Sequence, residues 1–511
     1  VNNLPEPEPQ ILLLSKKSKG FFQNLKKAVL LEKLYNPVGI TFFILLAAFI
    51  ALGISKLGVI FAALFLITVI GLPAIYAIVV YPEFGILILL IMAYLLFMLW
   101  RIGINGPVGI IMDAIQALLM IGILIRQKKE RNWEILKGPL STMILIWIGY
   151  NVLQVANPVT EARAAWIYTI RTVAIVLLSY FVFLYNIRSI KFIKLIFKIW
   201  LALSVFAALY ALKQEYIGFS DHEEEYLHSD PAIAGLLFIG GHWRKFSIFS
   251  DPVSFAYNMA MSTIFCIALI SGKSAQWKKV ILGFLIALFQ VASLYSGTRG
   301  ANVLVPAALL LFAILNYNRK VLIFTCFAAV FLICLINVPT SNPNLARFQT
   351  AFHPNNDDSY NLRKANQKRI QPYILSHPIG GGLGATGTWG QRFAPNSFLA
   401  NFPPDSGYIR VAVELGWVGL FIFCLMMFTA LKTGINNYYL IKDPELKTYC
   451  LGMVLIIFAY NIANFPQEAL VQFPSNVYFS LDMALLTVLF RLDKEKQERK
   501  SDDANQFILI N

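Results

Sequence analysis

The stretches "NLRKANQKRIQPYILSHPIGGGLGATG" (residues 361–387) and "PPDSGYIRVAVELGWVGL" (residues 403–420) belong to one charged segment, Asn337 to Tyr408, that lies between long apolar runs. Hydrocarbon tolerates few charges, and runs of about 20 apolar residues are the length that crosses it, so this segment reads as a polar lobe on a membrane protein. The whole chain agrees. Over 511 residues, 58% are hydrophobic, 14% are charged, 40 are Phe and the mean hydropathy is +0.63, too apolar for a soluble core and typical of a polytopic helical membrane protein. The net charge of +15 comes from short basic clusters between apolar runs. They form no continuous groove or arm, and no nucleic-acid partner is expected.

Apolar windows predict an all-α polytopic membrane protein with about 14 spans, near 38–55, 58–80, 84–100, 107–125, 139–155, 166–186, 189–212, 253–271, 279–296, 301–316, 321–338, 408–431, 446–465 and 472–490. The expected organisation is a cytoplasmic tail with an interfacial helix (Phe21 to Leu34) at 1–37, eleven spans within 38–338 interrupted by an external loop at 213–252, a large extracytoplasmic loop with short helices at 339–407, three spans within 408–490, and a cytoplasmic tail at 491–511. No short apolar core followed by a small-residue cleavage site opens the chain. Cys266, Cys326, Cys334, Cys424 and Cys450 all fall inside predicted spans, which supports neither a disulfide framework nor a thiolate metal site.

Basic residues set the orientation. With the N-terminus in the cytoplasm, Arg126-Lys128-Lys129-Arg131, Arg188-Lys191-Lys194, Lys273-Lys278-Lys279, Arg319-Lys320, Lys432-Lys442-Lys447 and Lys494-Lys496-Arg499-Lys500 all face inward. Both long polar segments and the turn "YSGTRGAN" (295–302) then face outward. Reversing the chain would export six basic clusters.

Unusual residues gather on that outer side. The first loop begins acidic (Glu215, Asp221, Glu223, Glu224, Glu225, Asp230), which reads as a solvated surface, and ends in "GHWRKFSIFSDPVSFAYNMA" (241–260), where Asp251-Pro252 suits a helix N-terminus. Arg244, just before a membrane entry, requires a phosphate, a carboxylate or headgroups for company. Arg299 lies among Ser296, Gly297, Thr298, Gly300 and Ala301, which allow backbone and ligand to approach closely, so that the turn and the following helix start could hold an anion; an ordinary loop Arg snorkelling to headgroups is an equal reading. "RKANQKR" reads as an amphipathic helix carrying Arg363, Lys364, Lys368 and Arg369. Gly380 to Gly384 follow no strand and precede no "GK[ST]", so they are expected to turn the backbone tightly near a substrate and not to cradle a nucleotide. Asp405 and Ser406 stand where the next helix begins, a position that an N-cap explains as economically as catalysis does.

Taken in order, "HWRKFSIFSDPVSFA", "YSGTRGA", "NLRKANQKRIQPYILSHPIGGGLG" and "PDSGYIRVAVELGWVGL" resemble the O-antigen ligase and O-antigen polymerase superfamily of bacterial envelope enzymes over roughly residues 200–430. The resemblance implies a GT-C-like integral glycosyltransferase of the bacterial inner membrane with its active site facing the periplasm. It implies an undecaprenyl-diphosphate-linked glycan as donor, a glycan or lipid-linked acceptor, inversion at the sugar carbon, and no cofactor. By the same resemblance Arg244 matches the Arg ahead of a glycine and a later proline, although Ser247 and Val253 replace the usual glycine and Asn. Arg299 matches the Arg of the small-residue turn, Arg363 the Arg opening the external-loop helix, and Glu414-Leu415-Gly416 the segment closing the loop. The family's His-Asn is Asp405-Ser406 here, which leaves Asp405 as the expected base; His353 and His377 lie in the same loop.

Displacing a lipid diphosphate puts negative charge on the leaving oxygens, and guanidinium groups can stabilise it without a metal. Arg299 and Arg244 are therefore expected at the diphosphate and Asp405 as base. Arg363, Arg369, Ser406 and Tyr408 are expected to bind substrate. No Asp-x-Asp or carboxylate cluster argues for a divalent ion. A flippase or exporter of lipid-linked glycan is the alternative, and it would place more charge inside the spans than the mid-run Arg171 and Asp482. A non-catalytic sensor or scaffold would also tolerate the loop.

Overall fold

The structure is a computed structural model describing residues 37–510 apart from 105, 107, 132, 240 and 353–357. The expected interfacial helix (21–34) and His353 lie outside the described residues. Among the described residues, 11 helices are long and apolar enough to cross a membrane, and Thr68–Val80, Arg299–Leu315 and Val321–Asn337 are shorter apolar helices. Every predicted window coincides with one of these fourteen. The chain is an all-α, multi-pass membrane protein.

The described residues up to 77 and those from 78 on form two compact units. In the first, helix Pro37–Leu57 reverses at Gly58 (φ +61) into helix Val59–Val80. Phe49 packs edge-on against Phe61 with ring centroids 5.6 Å apart. Phe42, Ile44, Phe49 and Leu52 stay exposed, as lipid-facing side chains do.

The second unit is built round helix Pro252–Ser271, which is largely buried. Asp251 caps it, its carboxylate accepting from Val253 N (2.8 Å) and Ser254 N (3.0 Å), with Pro252 in the first turn. Its small residues Ala256, Ala260 and Ala268 let helices Gln276–Leu294, Ile190–Tyr216, Leu304–Leu315 and Pro444–Ala463 pack closely round it. A Cβ on Gly452 would stand 2.9 Å from the Phe265 ring, so the helix Pro444–Ala463 touches there through its backbone. Polar groups in this core bond to one another, as in the chain Tyr94–Ser204–Ser262 (2.9 and 2.8 Å). Arg171, mid-span, is paired with Asp113 at 3.1 Å.

The first polar excursion folds into helices Asp221–His228 and Pro231–Leu237 and a two-residue hairpin, Phe238–Ile239 against His242–Trp243. Its acidic run is only partly a solvated surface. Asp221, Glu224 and Glu225 are exposed, whereas Glu223 is fully buried and accepts from Gln214 (2.7 Å), Tyr210 (3.1 Å) and Ser220 N (2.8 Å). Glu223 fastens the excursion to the end of helix Ile190–Tyr216. Arg101 secures it from below, stacked on Phe246 at 4.1 Å and donating to the Phe249 carbonyl at 3.0 Å. The second excursion holds helices Pro343–Thr350, Asp358–Ser376 and Gly387–Phe393.

Candidate functional site

The turn after helix Gln276–Leu294 organises the site. The Ser296 hydroxyl donates to Ser293 O (2.6 Å) and accepts from Thr298 N (3.1 Å), while Gly297 takes φ +59, open to glycine without strain. Arg244, arriving from the hairpin, spreads its fork over this turn: Nε donates to Ser296 O at 2.8 Å and a terminal nitrogen to Thr298 Oγ1 at 3.0 Å. Lys245 N bonds Tyr295 O at 3.0 Å and fixes the register.

Arg347 comes from the opposite side. Its Nε donates to Gly297 O at 2.6 Å, and a Cβ on Gly297 would lie 3.0 Å from that nitrogen and 3.7 Å from the Arg244 side chain. The short helix that carries it is tied down by Gln349, which donates to Leu335 O (3.0 Å) and Val338 O (2.7 Å) at the end of the preceding apolar helix. Burial first, then the neighbouring Arg347 and Arg299 charges, push Arg244 down to about 10, with Asp251 opposing. Three guanidinium groups from three separate stretches thus crowd one turn, and Asp251, an acid beside them among the described residues, serves as a helix cap. Such a site favours an anion with several oxygens.

Arg363 lies on the first half of helix Asp358–Ser376, whose Ile370 and Tyr373 pack with Leu399, Phe402 and Val413. Its charge reaches the Tyr257 hydroxyl. That hydroxyl would be 3.0 Å from a Cβ on Gly300, next to Arg299. Arg369 turns elsewhere, lying over the exposed Phe398 ring at 5.7 Å.

The glycine segment 380–384 does not face a cradle for phosphate. Helix Gly407–Leu440 is interrupted at Gly416 (φ 71), and the glycines fill that break. A Cβ on Gly380 would overlap the Glu414 carbonyl oxygen and the Gly416 amide. Gly381 N bonds Val413 O and Gly382 N bonds Glu414 O, each at 2.9 Å, and Val418 N bonds Pro378 O at 3.2 Å. Glu414, 2% exposed, accepts from Gly384 N (2.9 Å), Thr386 N (3.3 Å), the Thr386 hydroxyl and Arg410 Nε (3.1 Å). This clasp holds the helix start that bears Asp405 and Ser406.

Asp405 is half-buried and its carboxylate has no hydrogen-bond partner among the described residues. Ser406 occupies the N-cap position through its backbone, but its hydroxyl makes no capping bond and is buried without a partner among the described residues. Tyr408 points into the bundle, bonded to Asn461 O at 3.1 Å. His377 stacks on Tyr373 at 3.9 Å and donates through Nδ1 to the Tyr373 carbonyl at 2.9 Å, a structural role.

The segment after helix Pro444–Ala463 joins these parts. Pro466 meets Gly300, Gln472 accepts from Ser254, Glu468 pairs with Arg410, and Asn464 O accepts from Gly407 N at 3.0 Å. Arg347, Tyr257, Arg410 and Glu468 were not singled out from the sequence. Glu468 had a signal, since it is an acid in the short break between two predicted spans, on the side assigned as external. Beside Arg410 and Glu414 lies a cavity of about 60 Å³, lined mostly by apolar residues such as Trp147, Leu177 and Met426.

No curated protein matches this chain. Over residues 282–424, which include Arg299, Arg347, Arg363, Asp405 and Glu414, the chain matches the family model described as O-antigen ligase.

Proposed function

We propose that the protein is a membrane glycosyltransferase that moves a glycan from an undecaprenyl-diphosphate carrier to an acceptor sugar, in O-antigen ligase or polymerase fashion, during surface polysaccharide assembly. The observation that carries this reading is the convergence of Arg244, Arg299 and Arg347 on the 295–302 turn, within the region matched by the ligase family. In this reading the fourteen apolar helices all span the bacterial inner membrane, and segments 213–252 and 339–407 face the periplasm.

The acceptor oxygen attacks the anomeric carbon with inversion, and the bond to the diphosphate breaks with its electron pair on the leaving oxygen. Arg244, Arg299 and Arg347 neutralise that charge in place of a divalent ion, through bonds preorganised by the turn. Arg363, from helix Asp358–Ser376, grips the diphosphate or the first sugar. Asp405 accepts the acceptor's proton. Ser406, whose buried hydroxyl is unpaired among the described residues, orients the acceptor. Arg369 on Phe398 is assigned to the outer glycan path, and Tyr408, bonded to Asn461 inside the bundle, serves substrate binding by bracing the helix start.

Purified Arg299→Ala protein supplied with a lipid-linked donor tests the reaction. Transfer is expected to fall at least 10²-fold, on the order of losing one preorganised stabiliser. Normal transfer with lost export would replace the transferase by a flippase. Glycans of a deletion strain then separate the two transferase types: a single capped repeat unit marks a polymerase, and long chains left on the carrier mark a ligase.

A further inference from the structure

Glu468 belongs to neither the cation cluster nor the glycine clasp, yet the fold brings its loop against the helix start that follows Asp405. Gly407 N lies 3.4 Å from Gln467 O, so the chain two residues after Asp405 is tied to the chain one residue before Glu468. The two carboxylates act on each other electrostatically. Arg410 clasps Glu468 with one terminal nitrogen and Glu414 with its Nε. Two residues before Glu468, Pro466 rests on Gly300, beside Arg299. The carboxylate pair therefore adjoins the turn that would hold the leaving group.

The two acids that share Arg410 are unequal. Glu414 accepts from four donors, while Glu468 accepts from Arg410 alone among the described residues, and burial together with the Glu414 and Asp405 charges pushes its carboxyl up. The groups facing it are Arg410 and Glu414 from helix Gly407–Leu440 and Asp405 from the preceding turn; Asn464 and Gln467 in its own loop are neutral.

Resting on the transferase reading above, we infer that Glu468 is the proton-receiving partner of Asp405, a positioning residue that keeps the base ready for the next acceptor. The acceptor O–H bond breaks and its proton passes to the Asp405 carboxylate. The freed electron pair forms the bond to the anomeric carbon, and the diphosphate leaves with the electron pair of the old bond. The proton then passes from Asp405 by way of solvent to Glu468 and out to bulk water, restoring the Asp405 anion. Neighbouring carboxylates oppose each other's ionisation, which favours passing a proton on to Glu468.

Glu468→Gln keeps an oxygen for Arg410 and removes the proton acceptor; Glu468→Asp restores the acid. Both, with Arg299→Ala, are assayed in nanodiscs against a lipid-diphosphate glycan donor across pH, with unfolding temperatures recorded. The expected Glu468→Gln result is a roughly 10–100-fold lower kcat, a KM within about twofold, and loss of the acid limb that wild type shows as its rate falls through the raised Glu468 titration. Glu468→Asp should retain that limb. A Glu468→Gln enzyme with wild-type kcat and limb, while Arg299→Ala is inactive, overturns the inference and leaves the transferase standing. Both Glu468 variants losing activity in step with unfolding temperature, limb unchanged, also overturns it, because that is a brace. Full transfer by Arg299→Ala overturns both readings.

Discussion

Replacing Glu414 by Gln tests whether the helix break is a clasp. Glu414 receives Gly384 N, Thr386 N, the Thr386 hydroxyl and Arg410 Nε on two carboxylate oxygens. Gln keeps the shape but has one acceptor oxygen. Placing that oxygen toward Thr386 and Arg410 turns the NH₂ against Gly384 N–H, so a donor faces a donor in a buried site. Losing the charge from the Arg410 bond costs about 1 kcal/mol and stranding a buried N–H about 1–3 kcal/mol. Breaking a buried ion pair from one side costs about 3–5 kcal/mol, so roughly 3 kcal/mol is expected. Thr386→Val removes one of the same bonds, so the two changes should couple by about 0.5–3 kcal/mol. Thermal unfolding in detergent of the two single variants and the double variant measures this, with transfer assayed in parallel because the clasp positions Asp405. Strict additivity, or a Glu414→Gln protein within about 0.5 kcal/mol of wild type, would refute the clasp.

Other consequences follow from the same geometry. Gly387 (φ +66) has open space at its Cβ position whereas Gly380 (φ +75) faces backbone atoms, so Gly387→Ala should cost about 1–2 kcal/mol and Gly380→Ala clearly more; equal losses in unfolding temperature would contradict this. Arg244 is cationic at neutral pH and loses its charge as pH rises through about 10, so affinity for undecaprenyl diphosphate should hold from neutral pH and decline through that value, with the decline absent in Arg244→Gln. Chelation by EDTA should leave transfer within about twofold, since guanidinium groups supply the charge; a large loss restored by Mg²⁺ would contradict that assignment.

Much of this arrangement was legible before any coordinates. Spans are legible because hydrocarbon thickness imposes run length, and the windows match the apolar helices even where Gly58 or Gly416 bends the chain. Local chemistry carried the Asp251 cap, the helix over 363–369 and the tight turning of 380–384. Long-range pairing is what local pattern does not encode. Arg347 read as one more basic residue of a polar loop until the fold laid it over Gly297, 50 residues away in sequence. Glu414 matched a motif with no role attached, and its role emerges only when Gly384 and Thr386 fold back on it. Glu223, in an acidic run, read as solvated because its partners Gln214 and Tyr210 belong to the preceding helix. The Ser406 position was legible; the orientation of its hydroxyl was not.

The central claim is that guanidinium groups from distant stretches converge to hold a carrier-lipid pyrophosphate. Its most direct test is titration of undecaprenyl diphosphate, without sugar, into nanodiscs holding wild type, Arg244→Gln, Arg299→Gln, Arg347→Gln or Arg369→Gln. Each of the first three should weaken binding by roughly 10-fold or more, the worth of one charge-assisted hydrogen bond, while Arg369→Gln, whose guanidinium lies over Phe398, should bind as wild type does. Unchanged affinity in the three cluster variants, or an equal loss in Arg369→Gln, would contradict the account.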